Sequence, residues 1–166
     1  VNYYVVNNPY EECLRFLPDS HRYYPKCIAS TRTNPAFLRS YQGLKYFYCP
    51  TENQVYSGLN LRTSYKIDDY RNPVCAALGL AYRFKASKIL LFCCDDSFAD
   101  ERPTAVKLDN GLWCYPQQLL SKNIIDANCQ WLREQNIEVN DFSSGGNYNN
   151  ASYINLKEIK ISEVFE

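Results

Sequence analysis

Two adjacent carboxylates, Asp95 and Asp96, follow the most apolar stretch of the chain, residues 89–94. This stretch predicts a buried strand of a parallel sheet, whose carboxyl end delivers side chains to the ligand crevice. Paired carboxylates there can bind Mg²⁺ while the phosphates of a nucleotide supply further oxygens. We therefore predict that Asp95 and Asp96 are the catalytic and metal-binding residues, with Mg²⁺ as cofactor. The alternative is that one of them caps a turn and the other is solvated.

Polar side chains follow the other predicted strands as well. Ligands of open α/β sheets bind beyond the carboxyl ends of the strands, so we expect these side chains to contribute to binding. The candidate ligand-binding residues are Asn7, Asn8, Thr31, Arg32, Asn34, Ser97, Ser143 and Ser144. Arg32 suits bidentate binding of a phosphate, and a surface salt bridge is an equally good explanation.

Asn-Pro pairs at residues 8–9, 34–35 and 72–73 indicate where helices begin. Asn is a favoured N-cap, and proline is preorganised for the first helical position. The three pairs predict helices over residues 10–17, over residues 35–40 and after Asn72. The apolar face of the third is predicted at Val74, Ala77, Leu78, Ala81 and Phe84. The helix starts either bind phosphate through their N–H groups or are simply capped.

The longest predicted helix extends from Pro116 to Gln135, and a strand follows over residues 137–142. The apolar stripe of this helix is predicted at Leu120, Ile124, Ala127 and Trp131, which are spaced four, three and four residues apart. Residues 52–70 and 99–115 have no clear period and are predicted to be long loops. Loops of this length in a compact domain are more often functional than accidental.

Strands that alternate with helices predict the fold class. Further strands are expected over residues 1–6, 26–31 and 44–49. We expect a Rossmann-like α/β fold with a doubly wound, mainly parallel sheet flanked by helices, in a single domain over residues 1–166. The chain contains no methionine and begins inside a predicted strand. We therefore expect that a first β-α unit is missing and that the chain is part of a longer polypeptide.

Composition excludes several classes of function. Lys and Arg together number 18, as do Asp and Glu, so there is no strong nucleic-acid signal. No apolar run reaches the roughly 20 residues of a membrane span. One histidine and no C-x-x-C pair make a zinc site of the usual spacing improbable, and the eight cysteines are expected to be buried thiols of a cytoplasmic protein. Walker A, G-x-G-x-x-G and G-x-S-x-G motifs are also absent.

Three segments carry a resemblance to known families. They are NPVCAALGLAYRFKASKILLFCCDDSF at residues 72–98, SKNIIDANCQWLREQNIEVNDFSS at residues 121–144 and VVNNPY at residues 5–10. The first resembles the pattern A-x-x-L-G-x-x-x-I-x-L-x-G-x-D of the family named for archaeal 6-hydroxymethylpterin pyrophosphokinase and of the related bacterial lipooligosaccharide sialyltransferases. The resemblance implies a transferase domain that binds a nucleotide or nucleotide sugar.

The chain also departs from these families at particular places. It has no glycine turn of the G-x-G-P-S-L type, Cys94 stands where the families have glycine, and residues 113–120 contain no histidine. A glycosyltransferase-like function is slightly favoured over pyrophosphoryl transfer to a pterin. The alternative from a different class is a catalytically degenerate structural or interaction module.

Overall fold

The computed structural model describes residues 3–17, 24–51, 66–92, 94, 97, 99–109, 111–143 and 148–154. The chain divides into two compact units, Val1–Leu80 and Ala81–Glu166.

The first unit contains a sheet of four parallel strands that lie side by side in chain order. They are β1 (Tyr3–Val6), β2 (Lys26–Ser30), β3 (Lys45–Pro50) and β4 (Lys66–Ile67). Val6 pairs with Ala29, and Ala29 pairs in turn with Phe47. Because all four strands are parallel, their carboxyl ends meet at one edge of the sheet, and the residues that follow them gather there.

Helices cover both faces of this sheet. A 3-10 helix (Glu11–Phe16) and helix α1 (Pro35–Ser40) lie on one face, where Cys13 and Phe37 pack with Cys27 and Ala29 of β2. Helix α2 (Pro73–Arg83) lies on the other, where its residues Ala76 and Leu80 pack with Ile28, Tyr48 and Ile67. Successive side chains of β2 therefore point to opposite, separately covered faces. The doubly wound arrangement that the sequence predicts is confirmed in this unit.

The second unit contains a parallel sheet of three strands in the order β5 (Lys88–Leu91), β8 (Glu138–Asp141) and β9 (Ser152–Tyr153). Among the strands described in this unit, β8 lies between the other two. The sequence predicts a buried strand over residues 89–94, and within β5 Leu91 is buried whereas Lys88 is exposed. Apolar residues on both faces do not guarantee burial on both, since Ile89 and Leu90 are only half-buried.

Between β5 and β8 lie a short hairpin and the longest helix, α3 (Pro116–Glu134). Strands β6 (Val106–Lys107) and β7 (Trp113–Cys114) pair antiparallel. The sequence predicts a long loop over residues 99–115, whereas the structure has a short hairpin within this segment. The sequence pattern could not reveal this hairpin, because strands of two residues are too short to show a period. The hairpin is closed by a hydrogen bond from the Leu108 N–H to the Leu112 carbonyl at 2.7 Å.

Two of the three Asn-Pro pairs begin α-helices as predicted. The side-chain oxygens of Asn34 and Asn72 accept hydrogen bonds from Ala36 N and Val74 N, each at 2.8 Å. The helix predicted over residues 10–17 is present as a 3-10 helix at Glu11–Phe16, but the prediction that Asn8-Pro9 begins it was wrong, since its N-cap is Tyr10. The Asn8 side chain instead accepts a bond from Tyr10 N at 2.8 Å, which makes a turn before the helix starts.

The predicted apolar stripe of α3 was also wrong. Leu120 is 62% exposed and Trp131 is 40% exposed, whereas Ile125 and Leu132 are completely buried. Apolar residues occur in adjacent positions at 124–125 and 131–132, so two overlapping stripes fit the helical period equally well. The buried one is displaced by one or two residues along the helix and comprises Lys122, Ile125, Cys129 and Leu132.

Helix α2 shows the same ambiguity. Its buried residues are Cys75, Ala76, Leu78 and Leu80, so Leu78 alone of the predicted face is buried, and Phe84 beyond the helix is 57% exposed. Nearly every residue from 73 to 81 is apolar or small, and such a helix has no face that the sequence pattern can select.

The cysteines of the described residues are free thiols, and six of these seven are buried. No helix in the described part of the chain is both long and apolar enough to span a membrane.

The two stripes of α3 predict different effects of the same substitution. Leu132→Ala should lower the free energy of unfolding by about 2–5 kcal/mol, since it removes a completely buried side chain. Leu120→Ala, the matched control on the exposed face, should change it by less than about 0.5 kcal/mol. Urea unfolding followed by tryptophan fluorescence reports on this unit, because Trp113 and Trp131 both belong to it. Equal losses in the two variants would show that the described burial is wrong.

Burial of Cys27 predicts a dependence of stability on alkaline pH. Burial raises the pKa of this thiol from 9.0 to about 11, against a smaller opposing effect of Lys45. Because the folded pKa lies above the unfolded one, the stability that the protonated thiol contributes is fully present below pH 9 and is lost as the pH rises through 11. The stability difference between the wild type and Cys27→Ala should therefore shrink over this range, as measured by urea unfolding with a reductant present. A difference that stays constant with pH would contradict this.

Candidate functional site

A completely buried carboxylate, Asp69, lies at the carboxyl edge of the first sheet, two residues after β4. Four donors from four segments of the chain bind its oxygens. Oδ2 accepts from the Tyr48 hydroxyl at 2.9 Å and from the Asn7 amide at 3.4 Å. Oδ1 accepts from Nη2 of Arg32 and from the Arg71 backbone N–H, the latter at 3.0 Å.

These four bonds define what Asp69 can do. A carboxylate has about four lone-pair positions, and all of them have a donor here. Asp69 is therefore not placed to act as a base or a metal ligand. It connects the ends of β1 and β2, the strand β3 and the turn before α2, and it positions the side chains around it.

Tyr48 is held as a neutral donor in this cluster. Burial raises the pKa of its hydroxyl well above the usual value, and the neighbouring charge of Asp69 and their hydrogen bond raise it further. Both effects favour the protonated hydroxyl, which is the form that donates to the carboxylate.

Arg32 forms a salt bridge with Asp69, and its side chain is 18% exposed. The bend that carries Arg32 is fixed by a bond from its own N–H to the Ser30 hydroxyl at 3.2 Å and by a bond from the Thr33 hydroxyl to the Val6 carbonyl at 3.1 Å. A guanidinium has five N–H donors, so pairing with Asp69 orients the group without using all of its donors.

A cavity of about 690 Å³ opens beside this cluster. Polar residues that line it include Asn7, Asn8, Arg32 and Arg71, and its apolar wall includes Pro9 and Tyr10. None of the described residues on its lining is acidic, and the buried Asp69 is not part of the lining. The cavity thus presents two guanidinium groups, of which Arg32 is paired with Asp69, and suits an anionic ligand, whereas its donors do not suit Mg²⁺.

The structure brings three of the predicted ligand-binding residues together on this lining, namely Asn7, Asn8 and Arg32. Thr31 and Asn34 lie next to them in the chain but are not on the lining. The Thr31 N–H donates to the Tyr48 carbonyl at 3.0 Å, and the Asn34 side chain caps α1 and donates to the Pro9 carbonyl at 3.2 Å.

The other predicted site residues belong to the second unit. Ser143 is buried after β8, and its N–H and hydroxyl both donate to Asp141 Oδ1. Ser97 is half-buried. Asp95, Asp96 and Ser144 lie outside the described residues, so their catalytic and metal-binding roles stay predictions. Within the described part of the chain, no three Cys, His, Asp or Glu residues are grouped so as to hold a metal ion.

Sequence reasoning missed Asp69, Arg71 and Tyr48. Asp69 fell in a segment without a period, because β4 has only two residues. One signal was available: Asp69 lies three residues before the Asn72-Pro73 helix start, as Thr31 and Arg32 lie shortly before Asn34-Pro35. The same strand-turn-helix arrangement would have placed residues 68–71 at a strand end.

Parallel strands, helices on both faces of the first sheet and a polar carboxyl edge define a Rossmann-like α/β protein. No protein-family model and no curated protein sequence matches the chain. Among solved structures it is similar to the MAf glycosyltransferase from Magnetospirillum magneticum AMB-1, with a TM-score of 0.72, 15% sequence identity and 95% of this chain covered. The chain spans 27% of the length of that protein. A likeness at this identity establishes the fold.

The Asp69 cluster predicts a large effect of a single substitution. Asp69→Ala should lower the free energy of unfolding by about 3–5 kcal/mol, because it leaves the Arg32 guanidinium and the Tyr48 hydroxyl without their buried acceptor. Asp68→Ala is the matched control, since Asp68 is exposed, and it should change stability by less than about 0.5 kcal/mol. Urea unfolding followed by circular dichroism measures both. If Asp69→Ala lowers the free energy of unfolding by less than about 1 kcal/mol, the hydrogen-bonded cluster around Asp69 does not stabilise the protein as described.

Proposed function

We propose that the chain is a glycosyltransferase-like domain whose first unit binds the phosphate-bearing part of a nucleotide or nucleotide sugar. The observation that carries the proposal is the pair of arginines on the cavity lining, Arg32 and Arg71, together with the lack of any acidic residue among the described residues of that lining. The place of the cavity supports it as well, since ligands of this fold class bind beyond the carboxyl ends of the strands.

The solved structure supports the choice among transferases. The protein whose structure is similar over 95% of this chain is named a glycosyltransferase. In glycosyl transfer from a nucleotide sugar, the bond from the sugar to a phosphate oxygen breaks and negative charge develops on the leaving phosphate. Guanidinium groups aimed at that oxygen stabilise the charge. Arg32, oriented by a buried carboxylate, suits this task.

The apolar wall of the cavity supports a ligand with a flat ring. Tyr10 is 69% exposed and lies on the lining next to Pro9. Stacking on an exposed aromatic side chain is a common way to bind a nucleobase, and it is tolerant of base identity. Asn7 and Asn8 add amide groups that can bind sugar hydroxyls or base edges.

The open cavity also bears on the alternatives. A purely structural module needs no cavity lined by Asn8 and Arg32, so ligand binding is favoured over that alternative. Pyrophosphoryl transfer to a pterin would use the same phosphate-binding groups, and no observation favours it over glycosyl transfer. Asp95, Asp96 and Mg²⁺ remain part of the proposal as the predicted catalytic carboxylates and cofactor.

Nucleotides provide the test of the proposed function. Nucleotide sugars of the CMP, UDP and GDP types, together with ATP, should be screened with and without Mg²⁺ for a rise in melting temperature. At least one should stabilise the protein, because a ligand that binds only the folded state raises its stability. If none of them changes the melting temperature, the proposed function is wrong.

Tyr10 allows the orientation of the ligand to be tested separately. Tyr10→Ala should weaken binding of the best nucleotide by about 5- to 150-fold, the usual effect of removing one base-stacking side chain. Tyr46→Ala is the control, because Tyr46 is 47% exposed in the same unit but does not line the cavity. Isothermal titration calorimetry measures both. Unchanged binding by Tyr10→Ala would show that the base does not stack there.

A further inference from the structure

Arg71 lies in a turn whose backbone conformation is unusual. Tyr70 and Arg71 have φ angles of 45° and 59°, so two consecutive residues with side chains occupy the left-handed region. This region is strained for residues other than glycine, and such strain persists where the surrounding structure enforces it, often at ligand-binding sites. Glycine or asparagine would be the usual choice for a turn that served only to connect β4 with α2.

Asp69 enforces this turn. Its side chain accepts the Arg71 N–H at 3.0 Å, and its carbonyl accepts the Asn72 N–H at 2.6 Å. The oxygen that binds the Arg71 N–H, Oδ1, is the one that binds Nη2 of Arg32. The backbone of Arg71 is therefore adjacent to the Arg32 guanidinium, and both residues line the same cavity.

The charges of the two arginines differ in their availability. Arg32 is compensated by the Asp69 carboxylate in a salt bridge. Arg71 is bonded to Asp69 through its backbone N–H, so its side-chain charge is not used to hold the turn. Arg71 is also exposed, so a ligand can reach its guanidinium.

We infer that Arg71 is the specificity-determining residue for a phosphate group in this cavity, aimed by its left-handed turn and positioned by Asp69. The inference rests on the proposed function and deepens it, because it makes Arg71, whose charge is not paired with Asp69, the larger contributor of the two arginines to recognition of the ligand's phosphate. The ligand class is a phosphate ester. A guanidinium binds two phosphate oxygens at once, which a lysine at this position would not do.

Glycine substitutions separate this role from a structural one. Arg71→Gly removes the guanidinium and relieves the strained φ, so the melting temperature should not fall. Tyr70→Gly relieves the same kind of strain one residue earlier and keeps Arg71. Lys85→Gly is the matched control for charge, because Lys85 is an exposed cation with a φ of 58° in the second unit.

The binding measurement compares nucleotides with their parent nucleosides. AMP, CMP, GMP and UMP, the four nucleosides and inorganic phosphate are titrated by calorimetry into the wild type and the three variants. Arg71→Gly should bind the best nucleotide at least about tenfold more weakly, the usual effect of losing charge-assisted hydrogen bonds, and should bind its nucleoside unchanged. Tyr70→Gly and Lys85→Gly should bind both as the wild type does. Inorganic phosphate should compete with the nucleotide in the wild type.

Three results would overturn the inference, and they differ from a failure of the proposed function. In the first, Arg71→Gly binds the nucleotide as tightly as the wild type does. In the second, its affinities for nucleotide and nucleoside fall by the same factor, which indicates a structural role for Arg71. Lys85→Gly could weaken nucleotide binding as much as Arg71→Gly, which indicates an effect of net charge alone. If the wild type binds no nucleotide and no nucleoside, the proposed function fails and the inference fails with it.

Discussion

The buried carboxylate of Asp69 is the interaction on which the polar edge of the first unit depends. Removing a carboxylate from water costs on the order of several kcal/mol. Only a full set of hydrogen-bond donors and a close cation offset this cost. Asp69 has both, since Arg32 supplies the cation and the side chains of Tyr48 and Asn7 and the backbone of Arg71 supply the remaining bonds. The strand ends therefore cannot move apart without leaving a buried charge unpaired.

This constraint links the fold to the proposed chemistry. Parallel strands bring their carboxyl ends to one edge, and the polar residues that follow them need partners once they are partly buried. Asp69 provides such partners, so the guanidinium of Arg32 and the backbone of Arg71 are held in place before a ligand binds. A preorganised cation binds and stabilises a phosphate better than one that must be ordered by the ligand. The strained turn at Arg71 belongs to the same arrangement, because the Asp69 bonds enforce it.

The sequence predicted the parts of the structure that local chemistry decides. Asn34-Pro35 and Asn72-Pro73 begin helices because capping depends on neighbouring residues alone, and the polar strand ends led to Asn7, Asn8 and Arg32. Asp69 could not be found in this way. Asp68 and Asp69 are the same residue type in adjacent positions, and one is exposed while the other is completely buried. Pairing of β4 with β3, which is a tertiary event, makes that choice, just as packing and not periodicity chooses the buried stripe of α3.

The most direct test of the account is a crystal structure of the protein with the nucleotide that stabilises it most. A phosphate should contact the guanidinium groups of Arg32 and Arg71, and the Asp69 carboxylate should still accept the Tyr48 hydroxyl. A phosphate bound instead beside Asp95 and Asp96, with the cavity of the first unit empty, would contradict it.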